Sequence, residues 1–147
     1  MKNIFFLIIT LMMGACSTYS DQDLTSFDST IKAHVAKNKL KLIKTDSGLY
    51  FKITTMGSGR KIRYQDSVSI SYTGKLLSGK LVDIQTKPIT FAVKDLILGW
   101  KEALIMSQKG SEISMIIPPN LGYGDHTLEQ IPQNAILSFN LKVWDVK

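Results

Sequence analysis

The chain has 147 residues, of which 44% are apolar and 20% are charged. This length leaves room for one domain of ordinary size with a short extension, and the composition excludes a disordered or fibrous chain. The formal net charge is +6, but the lysines form only one local cluster, at Lys37, Lys39, Lys41 and Lys44. We interpret this cluster as a solvated surface and expect no nucleic-acid partner.

The first fifteen residues are typical of an export signal. Lys2 precedes an apolar run from Ile4 to Met13, which is too short to span a bilayer. Residues 13–16, Met-Gly-Ala-Cys, resemble the bacterial lipobox, in which a peptidase cuts before a cysteine that receives a diacylglyceryl group. We therefore expect a lipoprotein signal peptide at residues 1–15 and lipidation of Cys16. An ordinary secretory leader is the alternative.

Cys16 is the only cysteine in the chain, so an exported form can close no internal disulfide and must be stabilised by packing alone. Two or three acyl chains on Cys16 would give a stable anchor in a lipid membrane. The next residue is Ser17 rather than Asp, as in lipoproteins of the Gram-negative outer membrane. The expected location is the cell envelope, at the outer membrane, facing the periplasm or the surface.

Residues 16–47 are predicted to form a polar tether followed by an amphipathic helix. Asp21 or Asp23 can cap this helix, because aspartate oxygens accept hydrogen bonds from free backbone N–H groups. The apolar residues of the helix recur at spacings of three and four and form one stripe, namely Leu24, Phe27, Ile31 and Val35. The stripe could dock on the domain, space the domain from the membrane, or form a homodimer.

From residue 48 to residue 147 the pattern changes to short strands around one short helix. Alternating apolar and polar residues predict strands at Leu49–Thr54, Val68–Tyr72, Lys80–Ile84, Ile89–Val93, Glu112–Ile117 and Leu137–Val143. A helix is predicted from Gly99 to Gln108, with Gly110 ending it. Residues 120–134 are predicted to be a loop. The fold class is therefore α+β, with an antiparallel sheet of about five strands.

The order of the motifs in this region is similar to that of the FKBP family of peptidyl-prolyl cis-trans isomerases. The matching segments are residues 68–74 (VSISYTG), Gly79 with Asp83, residues 96–100 (LILGW), Met106 with Gly110, Ile117-Pro118 leading to residues 121–124 (LGYG), and Ile131-Pro132 before residues 137–139 (LSF). The resemblance covers Gly48 to Val146. It implies an antiparallel sheet that wraps over one short helix.

The resemblance also implies a shallow apolar pocket for the ring of a proline. The residues implied as catalytic are Tyr72, Asp83, Trp100, Tyr123 and Phe139, and those implied as substrate-binding are Val82, Phe91, Leu96, Ile97 and Ile131. By the same resemblance, the backbone N–H of Ile97 and the hydroxyl of Tyr123 donate to the ligand, and Asp83 accepts a hydrogen bond from Tyr72. Proline-containing polypeptides are the implied clients.

Such a pocket would need neither a cofactor nor a metal. No bond is broken when an X-Pro peptide isomerises, but the bond must cross a resonance barrier of ~18–20 kcal/mol. A twisted amide is less strongly solvated than a planar one, so a water-poor aromatic pocket favours the twisted form. His34 and His126 lack metal-ligand spacing, and we interpret both as surface residues.

Several residues depart from the family pattern and keep a second function open. Val82 and Ile89 stand where aromatic residues are usual, and no arginine lies between Asp83 and Phe91, where Lys87 is the only basic residue. A chaperone or assembly module could use the same pocket to bind apolar segments without useful catalysis. A proline-peptide isomerisation assay distinguishes the two functions.

Overall fold

The computed structural model describes residues 19–147, and the predicted signal peptide and Cys16 lie outside this range. Within this range the chain forms two α-helices, α1 (Asp21–Lys37) and α2 (Leu98–Ile105). The strands are β1 (Ile43–Lys44), β2 (Tyr50–Thr55), β3 (Ser58–Lys61), β4 (Ser67–Leu76), β5 (Leu81–Ala92), β6 (Gln108–Lys109), β7 (Glu112–Ile117) and β8 (Leu137–Val146). Short 3-10 turns cover Val93–Asp95 and Pro119–Leu121. Among the helices of residues 19–147, none combines the length and the hydropathy that a membrane span requires.

Six of the strands form one antiparallel sheet in the order β1-β2-β7-β8-β4-β5. The predicted fold class is confirmed, with six strands in the sheet instead of about five. A separate two-stranded sheet pairs β3 with β6, and both of its strands were missed because they are only four and two residues long. Strand β6 begins at Gln108, the last residue of the predicted helix.

The main core lies between α2 and one face of the sheet. Trp100, Ala103 and Leu104 of α2 are buried against residues that alternate along the long strands. These strand residues are Phe51, Val68, Ile70, Ile113, Met115, Ile117, Leu137, Phe139, Leu141 and Val143. The single short helix therefore supports the middle of the sheet from inside.

Helix α1 packs on the opposite face, where Ile31 is fully buried with Tyr50 and Ile116. Neighbouring strand residues point to opposite faces, so Tyr50 contacts α1 while Phe51 enters the main core. Of the three roles predicted for the apolar stripe, Ile31 therefore serves to dock α1 on the domain. The homodimer through α1 stays a prediction, as does the domain boundary at residue 48.

The N-terminal cap of α1 differs from the prediction. The capping residue is Ser20, whose hydroxyl accepts a hydrogen bond from the backbone N–H of Asp23, while the Asp23 carboxylate accepts one from the backbone N–H of Ser20. Asp23 is therefore the third helical residue of a capping box and not the cap itself.

Helix α2 begins and ends earlier than predicted. Met106 is its C-terminal cap, and both the backbone N–H and the hydroxyl of Ser107 donate to the carbonyl of Leu104. These bonds complete the last turn, so the chain can enter β6 at Gln108. Gly110, with φ at 86°, serves the turn between β6 and β7 and not the end of the helix.

The two predicted strands at Lys80–Ile84 and Ile89–Val93 are one strand, β5. Tyr72 pairs with Gln85 and Ile70 pairs with Ile89, so Thr86, Lys87 and Pro88 form a bulge within β5. The sequence pattern predicts a break between two strands at this point. Proline has no N–H to donate, which is tolerated here because β5 is an edge strand.

Candidate functional site

A cavity of about 250 Å³ opens between α2 and the inner face of the sheet. We call this cavity the cup. It is lined by Tyr72, Asp83, Phe91, Asp95, Leu96, Ile97, Trp100, Tyr123 and Phe139. These residues come from β4, β5, the segment before α2, α2 itself, the β7–β8 loop and β8.

A second, larger groove of about 430 Å³ lies on the outer face of the sheet. Its lining is mostly hydroxyl, amide and charged side chains, among them Ser71, Ser114 and Asn140. Polar side chains are what the solvated face of an antiparallel sheet normally carries. The cup, where aromatic rings converge with a few polar groups, is therefore the better candidate for a binding site.

Three aromatic rings form the floor and one wall of the cup. The ring centroids of Tyr72 and Trp100 are 4.9 Å apart, and those of Trp100 and Phe139 are 5.0 Å apart, both in edge-to-face geometry. Such pairs are favourable beyond the area they bury. Trp100 is only 5% exposed, and its indole Nε1 has no hydrogen-bond partner within residues 19–147.

Two glycines allow these rings to lie where they do. Gly74 pairs with Phe139 between β4 and β8, and a Cβ atom on Gly74 would lie 2.4 Å from Cε1 of Phe139. A Cβ atom on Gly99 would lie 2.8 Å from Cγ2 of Ile117. Both glycines belong to the sequence motifs, and their steric role becomes visible only in the structure.

The hydroxyl of Tyr72 donates a hydrogen bond of 2.8 Å to Oδ2 of Asp83. Asp83 reaches this position because Val82 is an extra residue in β5: Gly74 pairs with Asp83, and Lys75 pairs with Leu81. Burial of Tyr72, together with its bond to Asp83 and the charge of that carboxylate, raises the pKa of the Tyr72 hydroxyl.

Two further donors of the cup have no partner within the described residues, the hydroxyl of Tyr123 and the backbone N–H of Ile97. Ile97 is the N-terminal cap of α2, where backbone N–H groups lack carbonyl acceptors in their own helix. Burial, and secondarily the charge of Asp83, raises the pKa of Tyr123. Its hydroxyl therefore stays protonated at neutral pH and can donate to a carbonyl oxygen.

The structure brings eight of the ten residues expected to act on substrate to the lining of the cup. Val82, the extra residue in β5, is half-buried and packs against the main core. Ile131 is 7% exposed and also belongs to the core, where its backbone exchanges two hydrogen bonds with Leu128. Neither Val82 nor Ile131 lines the cavity.

Sequence reasoning missed one residue of the lining, Asp95. It is the last residue of the 3-10 turn that leads from β5 towards α2. Its only sequence signal is that it directly precedes Leu96, and a single exposed aspartate gives no periodic pattern. The cup therefore has two carboxylates at its edge, Asp83 and Asp95.

The two histidines lie apart from the cup lining. His34 is on α1, and His126 is exposed beside Asp125. Within residues 19–147, no group of three or more His, Cys, Asp or Glu side chains is placed to hold a metal ion.

Comparison with known proteins points to one family. A family model described as FKBP-type peptidyl-prolyl cis-trans isomerase matches residues 58–144. The FKBP-type peptidyl-prolyl cis-trans isomerase FkpA of Buchnera aphidicola subsp. Schizaphis graminum is 43% identical over 108 residues, which are 71% of this chain and 43% of that protein. This chain spans less than half the length of the curated relatives it matches first.

Solved structures share the fold. The crystal structure of FkpA from Escherichia coli superposes with a TM-score of 0.74 at 30% identity, covering 86% of this chain and 62% of that one. A peptidyl-prolyl cis-trans isomerase from Pseudomonas syringae pv. tomato superposes with a TM-score of 0.72 at 25% identity, covering 88% of this chain and 99% of that one. The second match extends over nearly the whole of a solved chain.

Proposed function

Because this chain belongs to the FKBP-type peptidyl-prolyl cis-trans isomerase family, we propose that it accelerates rotation about X-Pro peptide bonds in polypeptide clients. The observation that carries the proposal is the cup, in which Tyr72, Trp100 and Phe139 surround a hollow of about 250 Å³. The Ile97 N–H and the Tyr123 hydroxyl at this hollow have no hydrogen-bond partner within residues 19–147. A proline ring fits such a hollow, and the donors suit the carbonyl groups beside it.

The proposed mechanism is preferential binding of the twisted amide. Rotation removes the resonance that makes the planar amide polar. The twisted amide therefore loses less solvation free energy than the planar amide when water is excluded. The cup supplies a water-poor surface of rings, while Ile97 N–H and Tyr123 Oη hold carbonyl oxygens on the client. Binding that is stronger in the transition state accelerates the step. Removing about 4 kcal/mol from the barrier corresponds to roughly a thousandfold.

An isomerisation assay with a short proline peptide tests this function directly. The full chain should increase the rate above the uncatalysed rate in proportion to its concentration, and the increase should fall in the Tyr123→Phe variant. A folded protein that leaves the rate at its uncatalysed value would refute the proposal. If that protein still bound the peptide, the alternative of a binding module would replace it.

We further propose that the protein works at the cell envelope, attached to the membrane through an acylated Cys16. The leader pattern in residues 1–16 supports this location. Growth with a radiolabelled fatty acid should label the chain, and Cys16→Ser should abolish both the label and recovery in the membrane fraction. Labelling that survives Cys16→Ser would contradict the proposed anchor.

A further inference from the structure

Tyr19, the residue before the N-terminal cap of α1, touches the loop that carries Tyr123. The hydroxyl of Tyr19 donates a hydrogen bond of 2.7 Å to Oδ1 of Asn134, across 115 positions of sequence. The ring of Tyr19 packs edge-on against Phe27, with centroids 5.2 Å apart. Tyr19 therefore packs on α1 through its ring and reaches the β7–β8 loop through its hydroxyl.

The contact continues from Asn134 to the residue after Tyr123. The backbone N–H of Asn134 donates to the carbonyl of Gly124 at 2.8 Å, and the N–H of Gly124 donates to the carbonyl of Pro119 at 2.9 Å. A Cβ atom on Gly124 would lie 3.9 Å from the hydroxyl oxygen of Tyr19. The two ends of the loop are thus joined beside Tyr123, and Tyr19 lies at that junction.

Both residues at the junction have left-handed backbones, with φ at 66° for Gly124 and 58° for Asn134. For a residue with a Cβ this conformation persists when surrounding contacts hold it, although asparagine tolerates it better than most. The hydrogen bond from Tyr19 is such a contact, because it fixes the side chain of Asn134 while the backbone N–H closes the loop.

We propose that Tyr19 is a positioning residue that holds the β7–β8 loop in the conformation in which Tyr123 faces the cup. This inference rests on the proposed function, because it assigns Tyr123 a donor role towards substrate. Tyr19 itself does not line the cup and acts through Asn134 and Gly124. When the loop spends less time in the binding-competent conformation, the apparent dissociation constant for substrate rises in proportion to the fall in the competent fraction. The isomerisation step of the bound substrate is little affected.

The test compares two tyrosine-to-phenylalanine variants of the full chain. Tyr19→Phe removes the hydroxyl that reaches Asn134 and keeps the ring on Phe27. Tyr50→Phe is the matched control, because it removes the 2.6 Å hydrogen bond from Tyr50 to Asp28, which also joins α1 to the domain but does not involve the loop. A purely structural role of α1 would make the two variants alike.

We expect Tyr19→Phe to raise KM for a proline peptide about three- to fivefold, the size expected for one lost hydrogen bond, with kcat nearly unchanged. Amide hydrogen exchange at Gly124 and Asn134 should accelerate by a similar factor. Tyr50→Phe should change neither quantity. Asn134→Gly keeps the left-handed backbone and should reproduce the Tyr19→Phe effect, whereas Asn134→Asp keeps an acceptor and should retain normal KM.

The outcomes separate this inference from the proposed function. If Tyr19→Phe leaves exchange in the loop unchanged, or if it changes exchange but not KM, the inference is overturned. Equal effects of Tyr19→Phe and Tyr50→Phe also overturn it. A wild-type chain without isomerase activity refutes the proposed function, and exchange alone then decides whether Tyr19 holds the loop.

Discussion

The two tyrosine hydroxyls at the cup are in different states. Tyr72 donates to Asp83 at 2.8 Å, so its proton is already engaged. Tyr123 is half-buried and has no hydrogen-bond partner within the described chain. The Tyr123 hydroxyl is not among the fully buried polar atoms of residues 19–147, whereas Trp100 Nε1 is. Water can therefore accept the Tyr123 hydrogen bond until a client carbonyl takes its place. The hydroxyl of Tyr123 is therefore the side-chain group of the cup that is best prepared for a client carbonyl.

The first prediction concerns this hydroxyl. Tyr123→Phe should lower kcat/KM for a proline peptide about fivefold, because one neutral hydrogen bond of about 1 kcal/mol is lost. Burial, and secondarily the charge of Asp83, raises the pKa of Tyr123 above its ordinary value of about 10. The hydroxyl is thus protonated at pH 7 and at pH 9, and the loss should be the same at both. Tyr72→Phe is the control and should cost less than about twofold, since Asp83 is exposed and water replaces its lost partner. Equal losses in the two variants would contradict the distinction.

The second prediction concerns Gly74. Gly74→Ala should destabilise the fold by roughly 1–3 kcal/mol, because the new methyl group would overlap the ring of Phe139 and force it to move. The displaced ring should also reduce isomerase activity. Thr73→Ala, on the other face of the same strand, should stay within about 0.5 kcal/mol. Urea denaturation measures both variants, and equal stability of Gly74→Ala and wild type would show that the ring relocates freely.

The sequence motifs predicted most of the residues that line the cup. Tyr72, Trp100 and Phe139 could be assigned because each sits in a recognisable segment at the family's spacing. The sequence could not predict that Val82 does not line the cup. Its position depends on a bulge in the pairing of β4 with β5, and bulges have little sequence signal. The junction of Tyr19 with Asn134 was also invisible, because the two residues are far apart in sequence.

Among the elements, α1 is joined to the domain by a carboxylate as well as by apolar packing. Asp28 accepts a 2.6 Å hydrogen bond from Tyr50 and lies 2.8 Å from Nζ of Lys44, both on the sheet, and 2.7 Å from Nζ of Lys32 on the same helix. Burial alone would raise the pKa of Asp28, but these three hydrogen bonds and the charge of Lys44 together hold it well below its usual value. The ionised form of Asp28 therefore favours the docked helix.

The third prediction follows from the sign of this shift. A carboxyl group whose pKa is lower in the folded state stabilises the fold above its unfolded pKa of about 3.9, and this stability is lost as the pH falls towards the lower folded value. Asp28→Asn should therefore reduce the free energy of unfolding at pH 7, and the difference from wild type should shrink below pH 4. Denaturation of both proteins between pH 2 and pH 7 measures this, and a difference that grows at low pH would contradict it.

The sequence predicted which elements exist better than where they end. The apolar stripe that includes Ile31 correctly indicated α1, but Ser20 was overlooked as its cap because two aspartates follow it closely. Strand β5 was divided in two because Thr86-Lys87-Pro88 has the composition of a turn. Pairing with β4 on both sides of the bulge keeps this segment in the sheet, and such tertiary pairing overrides local preference.

For the whole molecule, the order of strands determines where the cup forms. β8 lies between β7 and β4, so Phe139 and Tyr72 meet although most of the domain separates them in sequence. Hydrophobic alternation predicts each strand but not its neighbours, and only the family resemblance supplied the arrangement. The proposed homodimer would have to use the part of α1 that the domain leaves free, such as Leu24, which is 37% exposed.

The last prediction is that α1 and the sheet unfold together. Ile31 is fully buried in a cluster shared with the sheet, and Asp28 and Tyr19 join the helix to two further sites. Within residues 19–147, helix α1 holds 17 α-helical residues and α2 holds 8, so α1 supplies most of the helical circular dichroism of this range at 222 nm. Both tryptophans, Trp100 on α2 and Trp144 on β8, lie outside α1.

Urea transitions followed by circular dichroism and by tryptophan fluorescence should therefore coincide at pH 7, as expected for one cooperative unit. Ile31→Ala should weaken the packing of α1 on the sheet by about 2–5 kcal/mol of free energy. If that exceeds the stability of docking, the circular dichroism transition will move to lower urea than the fluorescence transition. Separate transitions already in the wild-type chain would show that α1 is an independent appendage, and the contact of Tyr19 with the loop would then be made only part of the time.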